Sequence, residues 1–415
     1  RQLAERVTID TDTVPVNERV VAIARMAAKS GREVYLATAS DAKLVCRLHE
    51  RFPFLSGIFA SDGTTNLKSS AKANLLESRF PQGFDYAGNS GADVAVWQKA
   101  NAAIIVNASP QVEQRARAVS KVVEIIAPPP MFRNLLRSLR PHQTAKNLLI
   151  FAPIILGGQL GDRVSLLATI AAFVSLSLVA SATYLVNDVL DIEEDRKHWS
   201  KCDRPIAAGH LLPVTALVAA AVGLSAGFTI AALISWPATG VLAAYVALTL
   251  AYSLSLKRMP LVDGLVLATL FTFRLALGVV VSGVPPSPWL FVFSMFIFTS
   301  LSFAKRYTEL AKVIKREGTS IAGRGYCPED APLVLALGVA AGLAAVIITI
   351  FYIIDDGFRQ SFYGQTAWLW GFPPLTFLFI CRTWLISVRG EMSDDPVEFA
   401  LKDMQARILI GLLIV

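Results

Sequence analysis

Three aspartates and an asparagine stand together at the end of one apolar run: Asn187, Asp188, Asp191 and Asp195, in the string NDVLDIEED. On a helix Asp188, Asp191 and Asp195 take positions i, i+3 and i+7, which puts their carboxylates on one face. Such a face repels itself unless a cation neutralises it. Hard oxygen donors of this kind suit Mg2+, which completes its shell with water and substrate phosphates. A solvated acidic helix end would show the same spacing. Its place at the rim of an apolar run favours chemistry, because ionisable residues there are often functional.

Basic residues surround this motif in the sequence. Arg140 and Lys146 precede the run, in LRPHQTAKN, and Lys201 and Arg204 follow the aspartates. Further on, AYSLSLKRMPLVDG supplies Tyr252, Lys257 and a single Asp263, and SFAKRYTEL supplies Lys305 and Arg306. Arg274 lies well inside an apolar run, where an unpaired cation is costly. It follows Asp263 by eleven residues, about three helical turns, so the two fall on one face. Snorkelling anchors or structural pairs would account for any one of these cations. Collected around an acidic site, they suggest two phosphate-bearing substrates.

The elements that must position these residues follow from hydropathy. Of the 415 residues, 54% are hydrophobic and 17% charged, against roughly a quarter charged in a soluble chain. The apolar excess begins after Lys146. Apolar runs near 147–160, 165–187, 213–235, 238–256, 261–283, 287–304, 332–354, 366–388 and from 406 onward predict about nine transmembrane helices. Arg196, Lys197, Lys201, Arg204, Lys257, Arg258, Lys305, Arg306, Lys312, Lys315, Arg316 and Arg389 all fall in one set of loops. The positive-inside rule places that set, and hence the aspartates, on the cytoplasmic side.

Residues 1–125 instead alternate short β-rich runs with helical ones: EVYLA, then 41–51; GIFA, then 69–79; FDYAG, then 92–99; and AAIIV. That alternation predicts a soluble, doubly wound, Rossmann-like α/β domain. Residues 126–146 read as a linker with an interfacial helix, in which Phe132, Leu135, Leu136 and Leu139 share one face among arginines. The membrane domain then occupies 147–415. The net charge of +7 is carried by these loops without an aromatic-interleaved basic stripe, so nucleic acid is not an expected partner. Cys46, Cys202, Cys327 and Cys381 are scattered and read as free thiols rather than a zinc site. No secretory signal is visible, and both ends read as cut.

The string NDVLDIEEDRKHWSKCDRP resembles the first aspartate-rich motif of the UbiA-type prenyltransferases, NDxxDxxxD followed by RP, and the likeness extends over about 140–415. It implies an all-α bundle with a central cavity, Mg2+ held by Asp188, Asp191 and Asp195 against a diphosphate, Asn187 in support, and Arg204 on the phosphate. Aromatic-prenylating members carry a second DxxxD, where this chain has Asp263 alone. Taken with RPxQxxKN, SLKR and KRYxEL, the pattern is similar to the polyprenyl-phosphate (decaprenyl-phosphate) phosphoribosyltransferase branch. That resemblance implies transfer of phosphoribose from phosphoribosyl pyrophosphate to a polyprenyl phosphate, at a bacterial inner membrane, for the cell envelope. Arg204, Lys257 and Arg274 would then serve the donor's phosphates, and Lys146, Lys305 and Arg306 the lipid phosphate.

The first domain resembles the haloacid-dehalogenase phosphatases. Thr38 matches their phosphate-binding hydroxyl and Lys72 their lysine, while Asn89 and Asp93 match the acidic motif, with asparagine where aspartate is usual. Asp10-Thr-Asp12 lacks the glycine of the nucleophile motif, which is therefore expected upstream of Arg1. The fusion implies removal of the 5-phosphate from the phosphoribosyl lipid, or else a retired phosphatase serving as a docking module. Two other readings stand beside the transferase: an aromatic or haem-type prenyltransferase, and a non-catalytic lipid carrier with a cytosolic regulatory domain.

Overall fold

The computed structural model describes residues 13–62, 64–198, 201–315, 324–357, 366–392 and 403–404. Asp10 and Asp12, and the apolar run from 406, lie outside them. The chain forms two compact units: Arg1–Leu135 with Asp195–Leu212, and Leu136–Glu194 with Pro213–Val415.

In the first unit α1 (Glu18–Lys29) is capped by Asn17, whose side chain accepts from the Arg19 and Val20 N–H groups. There follow β1 (Tyr35–Asp41), the one-turn helices α2 (Ala42–Val45) and α3 (Leu48–Arg51), β2 (Gly57–Ser61), α4 (Ser70–Arg79) and β3 (Asp85–Gly88). After a 3-10 turn at Gly91–Asp93 come α5 (Val94–Trp97), β4 (Ala102–Val106), α6 (Pro110–Val119) and β5 (Val122–Ile126). All strand pairs are parallel, as the strand–helix alternation requires. Trp97, Ala103, Ile105 and Ala116 form a fully buried core on β4. The sheet differs from the single doubly wound sheet that the sequence predicts. β1 pairs with β2, and β3 with β4 and β5, in two separate ladders. A ladder needs backbones about 4.8 Å apart. Among the described residues β1 and β3 are not paired, and both border a cleft of about 430 Å³.

The linker carries α7 (Met131–Ser138), which exposes Met131, Phe132 and Leu136 and buries Asn134 and Ser138. Apolar residues turned outward are unfavourable in water and suit a membrane interface.

The second unit holds seven helices long and apolar enough to cross a membrane among the described residues. The first predicted span, 147–160, is not one of them. The chain there is a 3-10 stretch, Pro141–Phe151, followed by the short α8 (Ala152–Leu156). Pro153 stands in the first turn of α8, where no backbone donor is needed, and Gly158, in a left-handed conformation at φ +68°, follows its end. Next come α9 (Arg163–Leu190), α10 (Ile192–Lys197), α11 (Pro213–Ile234), α12 (Trp236–Leu254), a 3-10 turn at Leu256–Arg258, α13 (Val262–Ser282) and α14 (Pro288–Lys315). The bundle closes with α15 (Ala331–Tyr352) and α16 (Phe372–Arg389). α13 and α14 are central: half of their apolar windows are buried, against 17% for α11. Close approach rests on missing side chains, since a Cβ at Gly278 would lie 2.2 Å from the Ile150 carbonyl oxygen.

Candidate active site

α9 ends at the aspartate motif, with Asp191 as its C-cap residue. Asp188 is 2% exposed, and its Oδ1 accepts from the Arg140 guanidinium, which also lies over the Tyr184 ring at 5.1 Å. Asp191 is held on both oxygens: Lys257 Nζ stands 2.5 Å from Oδ1, and Asn187 Nδ2 donates to Oδ2 at 3.0 Å. Lys257 reaches it from the 3-10 turn after α12 and is itself 6% exposed. Arg258, next in that turn, is 3.5 Å from Glu194.

Asp195, the third aspartate, belongs to the first unit, where it is 2% exposed and 2.6 Å from the Arg204 guanidinium. The loop carrying Arg204 is tightly built: Pro205, Ile206, Ala207 and Leu211 are buried, and Lys201, half-buried, accepts the Arg204 N–H on its carbonyl. Gly209 takes φ +74°, and a Cβ there would meet Pro15 at 3.1 Å. Each aspartate thus pairs with a basic side chain, distant in sequence for Asp188 and Asp191 and nine residues on for Asp195.

Among the described residues no group of three or more acidic, His or Cys side chains forms a ready metal cluster. The donors nevertheless fit a hard divalent cation in kind. Asp188 and Asp191 present carboxylate oxygens about one turn apart, and each is paired with a cation, Arg140 and Lys257.

Arg274 is the second focus. It is 4% exposed, midway along α13, and no carboxylate among the described residues pairs with it. Its Nε donates to Asn147 Oδ1 at 3.0 Å, one Nη to the Leu270 carbonyl at 2.6 Å, and the other to the Tyr245 hydroxyl at 3.4 Å. The guanidinium lies over Phe271 at 4.9 Å, and Lys146 Nζ lies 6.0 Å from the centre of the same ring. A buried guanidinium satisfied only by neutral groups keeps its full charge for an anion.

Asp263 and Arg274 do not form one site, although their spacing puts them on one helical face. Asp263 and Arg306 are both 0% exposed, and Arg306 Nε is 2.5 Å from Asp263 Oδ2. Arg306 also reaches Glu309 at 2.5 Å and the Tyr252 hydroxyl at 3.3 Å. Arg324 and Tyr326, which the sequence reading did not single out, complete this cluster: Tyr326 donates to Asp263 Oδ1 at 2.6 Å, and Arg324 reaches Oδ2 at 3.2 Å. Their only advance signal was polarity in a loop beside an apolar run. Lys305 is half-buried beside Arg306.

A UbiA prenyltransferase family profile matches residues 149–400. The chain belongs to that family. An uncharacterized protein y4nM of Sinorhizobium fredii is 37% identical over 97% of this chain and 78% of its own length, so that likeness runs through both units. A decaprenyl-phosphate phosphoribosyltransferase of Corynebacterium glutamicum is 34% identical over 66% of this chain and 82% of its own length. Among solved structures, a UbiA homologue of Archaeoglobus fulgidus bound to GPP and Mg2+ superposes with a TM-score of 0.53 at 15% identity, covering 67% of this chain and 97% of that one. This UbiA member is therefore an integral membrane protein of the transferase fold.

The cleft of the first unit gathers all four residues that the sequence selects there. Thr38 borders it midway along β1, with Lys72 from α4 and Asn89 and Asp93 after β3. Both Asp93 oxygens are engaged: Oδ2 by the Asn89 and Ser90 N–H groups and the Ser90 hydroxyl, Oδ1 by Tyr86 at 2.9 Å and Lys72 at 3.4 Å. Burial opposes ionisation of Asp93, but those donors and the Lys72 charge hold its carboxyl below the usual carboxylate range. Burial and the neighbouring Asp93 charge push the Tyr86 hydroxyl up.

Proposed function

We propose that this UbiA member transfers phosphoribose from phosphoribosyl pyrophosphate to a polyprenyl phosphate, with the aspartate motif facing the cytoplasm. The observation that carries the reading is the matched pairing at the end of α9, where Asp188 meets Arg140 and Asp191 meets Lys257. Carboxylates and cations set side by side suit a polyanionic diphosphate, and relatives that bear the phosphoribosyltransferase name support the choice of donor.

In the reaction, a phosphate oxygen of the lipid forms a bond to C1 of the ribose as the bond from C1 to the diphosphate oxygen breaks. The electron pair leaves with the diphosphate. The lipid phosphate is already anionic near neutral pH, so no general base is needed. Asp188 and Asp191 would hold Mg2+, which would supply charge stabilisation for the departing diphosphate. Lys257 would orient the donor, and Asn187 holds the Asp191 carboxylate in place. Arg274 and Lys146, which share Phe271, are assigned to the second phosphate group, with Asn147 and Tyr245 fixing the guanidinium.

We assign the α/β unit a phosphate-ester ligand in the cleft of Thr38, Lys72, Asn89 and Asp93, and with it 5-phosphate removal from the phosphoribosyl lipid. Phosphate release from that lipid by the full-length protein with Mg2+ is the expected result. No release would leave the unit as a docking module.

The transfer is tested with membranes containing the protein, labelled phosphoribosyl pyrophosphate, Mg2+ and decaprenyl phosphate. An organic-extractable label that depends on the lipid and is lost in Asp191→Ala is expected. Reaction of a prenyl diphosphate with an aromatic acceptor instead would restore the prenyltransferase reading, and no reaction of either kind the carrier reading.

A further inference from the structure

The turn that presents Lys257 to Asp191 is gripped from behind by residues to which the proposed reaction gives no part. Leu261, three residues past that turn and at the N-cap of α13, takes φ +66°, a region that a branched L-residue adopts only when its surroundings impose it. Its N–H donates to the Tyr326 hydroxyl at 2.8 Å, and that hydroxyl donates on to Asp263 Oδ1 at 2.6 Å. Tyr326 is 1% exposed. One residue earlier, Gly325 presses on the same turn: a Cβ there would lie 2.5 Å from the Arg258 carbonyl oxygen and 2.9 Å from Pro260 Cδ.

Behind Tyr326 the ion cluster is closed. Asp263 Oδ2 takes Arg306 and Arg324, and Arg306 also engages Glu309 and the Tyr252 hydroxyl. Arg306 has its Nε and both Nη atoms committed to protein partners, and Asp263 both its oxygens. A substrate phosphate would have to displace a fully satisfied buried pair to reach Arg306, which is strongly unfavourable.

We infer that Tyr326, backed by Asp263 and Arg306, is a positioning device that locks the segment 256–261 and so sets Lys257 against Asp191. Asp263 and Arg306 are thereby positioning residues, not members of the lipid-phosphate cradle. The inference rests on the reading of Asp191 as a diphosphate site, and it extends that site to residues with no contact to substrate.

The test uses full-length protein in lipid nanodiscs, with amide exchange and calorimetric binding of magnesium diphosphate as readouts, since that anion is released under either transferase reading. Tyr326→Phe removes only the hydroxyl. Amide exchange at 257–262 is expected to quicken, and magnesium diphosphate to bind about fivefold more weakly, the loss of one bridging hydrogen bond. In the double variant with Lys257→Ala the affinity is expected to equal that of Lys257→Ala alone, because Tyr326 acts through Lys257. Gly325→Ala, which pushes the turn from the other side, gives a second reading should Tyr326→Phe fold poorly, and the same non-additivity is expected. Wild-type affinity in the single variants, or losses that multiply in the double variants, would overturn the inference. A wild-type protein that binds magnesium diphosphate but turns over no phosphoribosyl pyrophosphate fails the proposed function instead and leaves this test standing.

Discussion

Asp191 and Asp263 carry the same functional group at the ends of neighbouring apolar runs, yet their surroundings differ in kind. Asp191 keeps its side chain 18% exposed and faces one lysine and one amide. Asp263 is fully buried and receives two guanidinium groups and a tyrosine hydroxyl. A ligand can approach the first carboxylate and trade places with a single lysine. The second has no surface to offer. The degree to which a buried charge is already satisfied therefore separates the carboxylate open to a ligand from the closed one, and spacing along the chain does not.

The largest effect should come from breaking the closed cluster. Asp263→Ala takes one of its two carboxylate partners from the buried Arg306, leaving Glu309, and the bundle should lose about 3–5 kcal/mol. Thermal unfolding of the purified protein in detergent would check this, and a melting temperature within a degree of wild type would count against the buried clamp. At the open carboxylate the damage should fall on chemistry. Asp191→Ala should cut transfer by about 10²–10³-fold, by analogy with removal of a single preorganised charge-stabilising group, with its melting temperature close to wild type. If the two variants exchanged phenotypes, the contrast between the sites would be lost.

Arg274 sharpens the comparison from a third position, since it is buried but met by neutral partners alone. Arg274→Met should raise the KM of one phosphate substrate by roughly tenfold, the value of one charge-assisted hydrogen bond. Steady-state kinetics with each substrate varied in turn would identify which.

The smallest effect lies in the α/β unit. Its held-down pKa makes Asp93 stabilising above its unfolded value of about 3.9, and that stability is lost as pH falls through the lower folded value. Asp93→Asn should therefore melt below wild type at pH 7, and the gap should narrow as pH drops under about 4. A gap that is constant with pH would show that Asp93 acts by shape rather than charge.

Much of this was legible in the sequence because it is local. Seven spans appeared as apolar runs within a few residues of their helices, apart from an end of α14 that runs on through the polar 305–315, whereas α9 stops at Leu190 and so does not give Asp188, Asp191 and Asp195 the single helical face that their spacing implied. The run at 147–160 misled because apolar content cannot tell one long helix from a 3-10 stretch followed by the five-residue α8. The single α/β sheet was inferred from alternation, which fixes parallel strands but not which of them share a ladder. Least legible were the partners. Lys257 meets Asp191 across 66 residues and Tyr326 meets Asp263 across 63, and no local pattern encodes either pairing. Spacing alone placed Asp263 with Arg274, whereas the packing of α13 against α14 and the Arg324–Tyr326 loop gave it to Arg306.

The central claim is that phosphoribose moves to a lipid phosphate while diphosphate departs, and one doubly labelled donor tests it. With carbon label in the ribose and phosphorus label in the diphosphate, the ribose label should enter the organic phase with decaprenyl phosphate, and an equal amount of diphosphate label should appear as free soluble diphosphate. Phosphorus label travelling into the lipid with the ribose, or no transfer of either label under conditions where the membranes prenylate an aromatic acceptor, would contradict the account.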